Sequence, residues 1–231
     1  MDAILKFEPR TPTIPLIDLI AEANHRIANS LSLVVGMVRM QGVSVKKNPV
    51  PMTNAEVRML LDGVAARINT IAQLHRLLSH NATDGAISLR PHLQEITDAL
   101  VAGLSPPEQM ARVVHTGCEC LVQMRHVQPI VLILCEVFIN AMKYAHPAGV
   151  PLIMTVDCSV TGDGLLALTV SDDGVGLPEG YDTQAAGGMG FRVMRSLAAE
   201  IGADLQIQST HLGLTTRLSL PAGAMAGEKL A

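Results

Sequence analysis

Glu136, Asn140, Lys143 and His146 follow one another at spacings of four, three and three in EVFINAMKYAH. On a helix these offsets place a carboxylate, an amide, an ammonium and an imidazole on one face. A carboxylate with an amide oxygen can hold Mg²⁺ or orient water, and an ammonium can meet phosphate. A second stretch, SDDGVGLPEG, spans residues 171–180. Its Asp172 can accept from an exocyclic amine, while Gly174 and Gly176 let the backbone approach a flat ring closely. A third, GGMG at 187–190, precedes a helical pattern from Phe191. Free backbone amides at such a helix start, here around Gly188 and Gly190, suit phosphate. Each stretch taken alone could be a solvated helix edge or an ordinary turn. Their order and spacing carry the weight.

A fourth candidate is His25, in AEANHRIANSLSLVVGMVRMQ at 21–41. At ~100° per residue, Ile20, Ala23, Ile27, Leu31, Val34 and Val38 fall within about 80° of arc, the width of a buried stripe. His25 lies roughly 150° away from its middle, with Glu22 and Asn29 on its own side. A lone polar-face histidine is usually just solvated, so only the other motifs give this one a function.

The elements needed to position these groups are legible in outline. A first helix runs from near Leu16 to Val43 and is ended by Gly42, Pro49 and Pro51, with a connection of about ten residues. Thr53 or Asn54 caps a second helix with apolar residues at Val57, Leu60, Leu61, Val64, Ile68, Ile71, Leu74 and Leu78, His75 lying beside the stripe. Two such helices form an antiparallel hairpin whose core is too small to stand alone. Pairing two hairpins into a four-helix bundle covers both stripes, which predicts a homodimer. After a turn at NATDG (81–85), a third helix runs from Leu89 to Leu104 with Ser88 as its cap. A strand or hairpin follows around Gly117, and then a buried helix from Val127 to Tyr144. Strands at 152–160 and 165–170 flank the turn TGDG. A helix at 189–201 and a final hairpin at 205–209 and 214–220 complete the pattern. The first residues read as a short arm and the last as a loose tail. The fold class is α+β, with a helical hairpin at 1–83 and a second domain at 84–231 whose single sheet is covered on one face.

Composition excludes several functions. The chain has 231 residues, 48% of them hydrophobic, a mean hydropathy of +0.33 and a net charge of −4. It is globular, with no basic or aromatic footprint for nucleic acid. With 2% aromatics and no Trp, aliphatic residues must fill the core. The apolar run 129–135 is broken by Glu136, well short of the ~20 residues of a membrane span, and the N-terminus lacks the basic and apolar regions of a signal peptide. Cys118, Cys120, Cys135 and Cys158 do not follow a zinc spacing and read as reduced, mostly buried thiols of a cytoplasmic protein.

The three stretches together resemble the nucleotide boxes of the histidine kinase, gyrase, Hsp90 and MutL superfamily: EVFINAMKYAH as an N-box, DDGVG as a G1 box and GGMG as a G2 box. HRIANSL resembles the phosphoacceptor box of the HWE and related histidine kinases, which reads H-R-x-x-N, and RINTIAQLHRLL in the second helix is similar to the same subfamily. The likeness runs from about Asp18 to Pro221. A chain without Trp cannot hold the W-x-E motif of the HWE group proper, so a sister family with the same H-R box fits better. Arg26 follows the acceptor where commoner kinases have an acid, and Ala28 and Ser30 stand where Lys and Asn are frequent. Only nine residues separate Leu177 from Gly187, a short ATP lid.

The resemblance implies a long helical hairpin dimerising into a four-helix bundle, followed by an α/β sandwich ATP-binding domain. It implies ATP with adenine on Asp172, Mg²⁺ on Asn140, and phosphate near Lys143 and the Gly188 to Gly190 loop, with Gly174 and Gly176 against the ring. Glu136 would polarise or act as base, with Glu22 a conjectural second base. His25 would attack the γ-phosphate through a neutral ring nitrogen, its ordinary pKa of ~6.5 leaving it mostly uncharged. The phosphoryl group would pass to an aspartate of a response-regulator receiver domain. Neither a sensor before the hairpin nor a receiver after it is recognisable, which admits an alternative: a histidine phosphotransferase relaying between receivers without ATP turnover. Retention of Glu136, Asn140, Asp172 and the glycines favours the kinase over that relay. A serine kinase acting on an anti-sigma-type partner would share the nucleotide boxes but lack the H-R box and the hairpin.

Overall fold

The computed structural model describes residues 16–47, 50–80, 85–105, 110–146, 150–162, 164–183 and 188–220, with the side chains of residues 16–27, 44, 47, 78–80 and 189 outside that description. The expected N-terminal arm, most of the NATDG turn, Gly187 and the C-terminal tail fall outside the described residues, as do the side chains of His25 and Glu22.

Two long helices open the chain, α1 (Leu16–Lys47) and α2 (Asn54–His80). The second starts with a capping box. The amide of Thr53 donates to Glu56 Oε2 at 2.7 Å and the amide of Glu56 donates back to Thr53 Oγ1 at 3.2 Å, so two orphan donors are satisfied reciprocally. The expected stripes are only partly buried. On α1, Val34 is buried, but Leu31 and Val38 are 53% and 43% exposed, and the buried positions include Ser30 and Met37. On α2, Ile71 and Leu74 are buried with Arg67 and Thr70, while Val57, Leu61 and Ile68 are exposed. The reason is that each helix has two apolar arcs. One packs inside the chain, partly on the second domain, and the other remains outward.

The rest of the chain is β1 (Ala86–Ser88), α3 (Leu89–Leu104), β2 (Ala111–Gly117), β3 (Leu121–Gln123), α4 (Met124–Tyr144), β4 (Leu152–Val160), β5 (Leu166–Asp172), α5 (Met189–Glu200), β6 (Asp204–Thr210) and β7 (Gly213–Leu220). The main sheet has the order β2-β4-β5-β7-β6. Leu152, Met154, Val156 and Cys158 of β4 alternate inward with more exposed neighbours, the period of two expected of a sheet covered on one face. No hairpin forms around Gly117. Instead β2 runs parallel to β4, with Ala111 opposite Leu152, and β3 pairs with β1. A parallel neighbour needs a long crossover, and α4 is that crossover. Ser88 stands at the start of α3, but its hydroxyl makes no capping bond and is buried without a partner.

The core is centred on α4, whose Ile130, Leu134, Cys135 and Phe138 are fully buried. Each such side chain contributes roughly 1.5–3 kcal/mol by leaving water. Among the described residues α4 alone has the length and composition of a membrane span, yet 78% of that window is buried inside the fold. All four cysteines are free thiols, with Cys118 exposed and the other three buried.

Candidate functional site

The C-terminal half of α4 delivers the N-box residues into a cavity of about 810 Å³. Glu136, Asn140 and Lys143 line it with Asp172, Gly176, Gly188 and Gly190, so the three stretches separated in sequence meet around one space. Gln41 and Val45 of α1 and Met59, Leu60 and Arg67 of α2 close the opposite side.

Asp172, the last residue of β5, is oriented by its own turn. Its Oδ1 accepts from the amides of Gly174 (3.0 Å) and Leu214 (3.2 Å), leaving Oδ2 for a ligand. Burial raises its pKa above the ordinary carboxylate value, against the lowering effect of those two amides. Gly174 and Gly176 serve close approach to the protein's own backbone. A Cβ on Gly174 would lie 2.5 Å from Ala145 Cα, and Gly176 has φ +71° with Thr210 O 2.2 Å from the position of a Cβ. Within the protein itself the surfaces these glycines approach are the end of α4 and the end of β6, and Gly176 also lines the cavity.

Asn140 presents a buried Nδ2 with no hydrogen-bond partner, facing Gly190, where a Cβ would come within 3.0 Å of it. An amide held unsatisfied in a cavity is a group awaiting a ligand. Its oxygen is a hard donor of the kind Mg²⁺ takes together with substrate phosphates, and among the described residues no cluster of three acidic, His or Cys groups forms a self-sufficient metal site. The donor set therefore fits Mg²⁺ held jointly with a nucleotide. Lys143 is half-buried and its pKa is lowered, first by burial and then by the charge of Arg67, against the opposing pull of Glu136. Its ammonium approaches α2, 3.5 Å from where a Cβ on Gly63 would be.

His146, the last member of the N-box pattern, turns away from this space. Its Nε2 is 2.9 Å from Asp173 Oδ1, which also accepts from the amide of Ile153 at 2.9 Å. Burial is the largest single influence and opposes ionisation of Asp173, but the Ile153 amide and His146 together outweigh it and hold its pKa below the usual carboxylate value. His146 thus ties the end of α4 to the glycine turn.

Two contributors were not singled out from sequence. Arg67, in the RINT stretch of α2, donates from Nε to Glu136 Oε1 at 2.6 Å and from Nη2 to Oε2 at 2.7 Å, and from Nη1 to Gly63 O at 2.9 Å. Both partners are almost fully buried. Burial alone would favour loss of the guanidinium proton, but hydrogen bonding and charge from Glu136 prevail and raise the Arg67 pKa. Tyr181 accepts the Gly188 amide at 3.1 Å, so that amide is engaged rather than free, and the Tyr181 ring lies 6.2 Å from that of Phe191. No local periodicity marks Arg67, because its partner lies 69 residues away, nor Tyr181, which stands in a loop rather than in a patterned element.

Residues 22–103 match a family described as histidine kinase, and residues 126–224 match the histidine kinase-, DNA gyrase B-, and HSP90-like ATPase family. The blue-light-activated histidine kinase 2 of Erythrobacter litoralis is 26% identical over 209 residues, covering 87% of this chain and 56% of that protein. The sensor histidine kinase PdtaS of Mycobacterium tuberculosis is 26% identical over 213 residues, covering 88% of this chain and 39% of that protein. The chain therefore spans about half the length, or less, of these relatives. The solved histidine kinase domain of the E. litoralis EL346 blue-light-activated kinase has the same fold, with a TM-score of 0.66, 24% identity, and 90% of this chain and 95% of that chain covered.

Proposed function

Because the chain belongs to the histidine kinases, joining a histidine kinase domain to an ATPase domain of the gyrase and HSP90 class, we propose that it is an ATP-dependent protein-histidine kinase that phosphorylates His25 and passes the group to a receiver aspartate. The single observation that carries this is the convergence of Glu136, Asn140, Lys143 and Asp172 with Gly188 and Gly190 on one cavity large enough for a nucleotide. Residues 1–83 form the phosphoacceptor unit and 84–231 the ATP-binding unit of this reading.

Asp172 Oδ2 takes the adenine amine, Lys143 and the amides near Gly188 to Gly190 take phosphate, and Asn140 holds Mg²⁺. The metal, when bound, supplies charge neutralisation on the phosphates. A ring nitrogen of His25 forms a bond to the γ-phosphorus as the bond to the β–γ bridging oxygen breaks, ADP leaves with that oxygen, and the second ring nitrogen gives up its proton. Glu136 is the base for that proton, with Glu22 as the nearest acid in sequence. Catalysis of this kind rests on positioning and charge stabilisation rather than on covalent chemistry by the protein. The outward apolar residues Leu31, Val35 and Val38 of α1 and Leu61 and Ile68 of α2 support a homodimer through the hairpin. The reading places the protein in the cytoplasm, with no membrane insertion and no nucleic acid partner.

The test is incubation with γ-labelled ATP and Mg²⁺, alongside His25→Ala and Asn140→Ala. Acid-labile, base-stable label that both substitutions abolish is the expected result. No label, with His25-dependent transfer from a phosphorylated receiver, would instead identify a relay.

A further inference from the structure

Ser30 of α1 is buried and its hydroxyl accepts from Gln128 Nε2 at 2.8 Å, so Ser30 lies level with the first turns of α4. At their other ends Gln41 of α1 and Asn140 and Lys143 of α4 line the same cavity. The two helices therefore run in the same sense and nearly in step. His25 lies five residues before Ser30, and Glu136 eight residues beyond Gln128. At ~1.5 Å per residue this separates the two backbones by roughly 20 Å along the axis, whereas a near-attack geometry needs ~3–3.5 Å between reacting atoms. No side-chain rotation closes that gap, so the arrangement is not one in which His25 meets a γ-phosphate beside Glu136 of its own chain.

What holds it is Arg67. Its guanidinium covers both oxygens of Glu136 from α2, and its third contact, to Gly63 O, fixes it on its own helix. A bidentate guanidinium pair is the strongest and most directional ion pair available, and here water is excluded from it. A carboxylate so engaged has a lone pair on each oxygen and its charge committed to the guanidinium, so it is a poor proton acceptor for an incoming imidazole, whether that imidazole comes from the same chain or a second copy.

We infer that this docked arrangement is a resting state and that Arg67 is the positioning residue that enforces it, by chelating Glu136 until the ATP-binding unit moves off the hairpin. The inference rests on the kinase reading above for the role of Glu136. It adds that the hairpin controls the base directly, through one side chain. A signal that shifts α2 relative to α4 breaks two short bonds and frees the carboxylate together.

The full chain carrying Arg67→Gln tests this, with Arg67→Lys as a variant that keeps the charge but loses the fork. Three readouts are needed: fluorescent-nucleotide binding, which also reports that the ATP-binding unit is folded; the rate of acid-labile labelling from ATP; and the radius of gyration by small-angle scattering. The expected result is a tenfold or greater rise in labelling for Arg67→Gln and a smaller rise for Arg67→Lys. Nucleotide should still bind, which shows that the ATP-binding unit is folded, and the scattering particle should be more extended. A fall in labelling with nucleotide still bound would overturn the inference, showing that Arg67 supports transfer. Unchanged labelling and unchanged scattering would overturn it as well. If no protein labels at all, the kinase reading fails, and the scattering comparison alone still decides whether Arg67 holds the two units together.

Discussion

Gly174 and Ala145 are in contact so close that a Cβ on the glycine would stand 2.6 Å from the Cβ of the alanine and 2.6 Å from its carbonyl oxygen. The same carbonyl accepts the Val175 amide at 2.9 Å. The end of α4 and the turn after β5 are thereby one unit, and that unit sets Asp172 opposite Asn140.

Gly174→Ala is therefore expected to push the turn away from α4. Backbone atoms receive the clash, so no side chain can rotate to relieve it, and overpacking of this sort costs ~1–3 kcal/mol. For a chain of this size that is a loss of roughly 2–12 °C in Tm, measurable by calorimetry. Nucleotide affinity should fall by more than stability does, because Asp172 is displaced with the turn. A variant with wild-type affinity would show that the turn is not the part that aims Asp172.

Where the fold was readable in advance, the determining interactions were local. The cap of the second helix at Thr53, the buried helix from about Val127 to Tyr144, and the strand at 152–160 are each written within a short stretch of chain. The segment around Gly117 reads as a strand or a hairpin, and it is a strand, because its pairing is decided elsewhere. A β-branched run with a central glycine looks like a hairpin, yet the partner of Ala111 is Leu152, across the whole of α4. The site followed the same division. Glu136, Asn140, Lys143 and Asp172 stood out by spacing, whereas Arg67 is an ordinary arginine in an amphipathic helix until its partner 69 residues away is known. His146 shared the helical spacing of the N-box yet serves Asp173 rather than the cavity, because α4 ends at Tyr144 and the chain has left the helix by residue 146.

The raised pKa of Asp172 makes nucleotide binding sensitive to acid. An ionised carboxylate accepts from an exocyclic amine and a protonated one competes as a donor. Affinity should therefore be full above the folded-state pKa and decline as pH falls through it, starting at a higher pH than the ordinary 3.8 would give. In the empty protein the sign reverses: the charge is the disfavoured form, so Asp172→Asn should cost little stability near neutral pH. Its amide oxygen can still accept from Gly174 and Leu214, which turns the NH₂ toward adenine, donor against donor. Such a mismatch is worth ~1–3 kcal/mol, or about 5- to 150-fold in affinity. Titration calorimetry between neutral and acid pH on both proteins checks both signs. Pronounced destabilisation of the empty variant would place the role of Asp172 in folding.

Tyr181 occupies the Gly188 amide that the phosphate reading requires. Removing only the hydroxyl, by Tyr181→Phe, keeps the aromatic contact with Phe191 and frees that donor at the start of α5. A neutral hydrogen bond is worth ~1 kcal/mol net, so ATP should bind about fivefold more tightly. Adenosine, which has no phosphate to offer the amide, should be unaffected. Equal effects on ATP and adenosine would mean that Tyr181 acts on the ring site and not on the phosphate loop.

Leu31, Val35 and Val38 on α1 and Leu61 and Ile68 on α2 are between 43% and 59% exposed, and within each helix they recur at spacings of three, four or seven. Spacing of that kind aligns them in a band along each helix. A band of aliphatic side chains facing outward on both helices of a hairpin is what a second hairpin would cover, and the inward arcs are already used by the protein's own core. Leu61→Asp combined with Val35→Asp places two charges in the band without touching Arg67, Thr70 or Leu74 on the buried side. The wild-type chain is expected to sediment as a dimer and this variant as a monomer, with nucleotide affinity retained because the cavity lies within one chain. A wild-type monomer at micromolar concentration would show that the outward band is covered by some other surface. The reach of His25 toward an ATP-binding unit would then have to be achieved entirely within one chain, by release of the Arg67 contact.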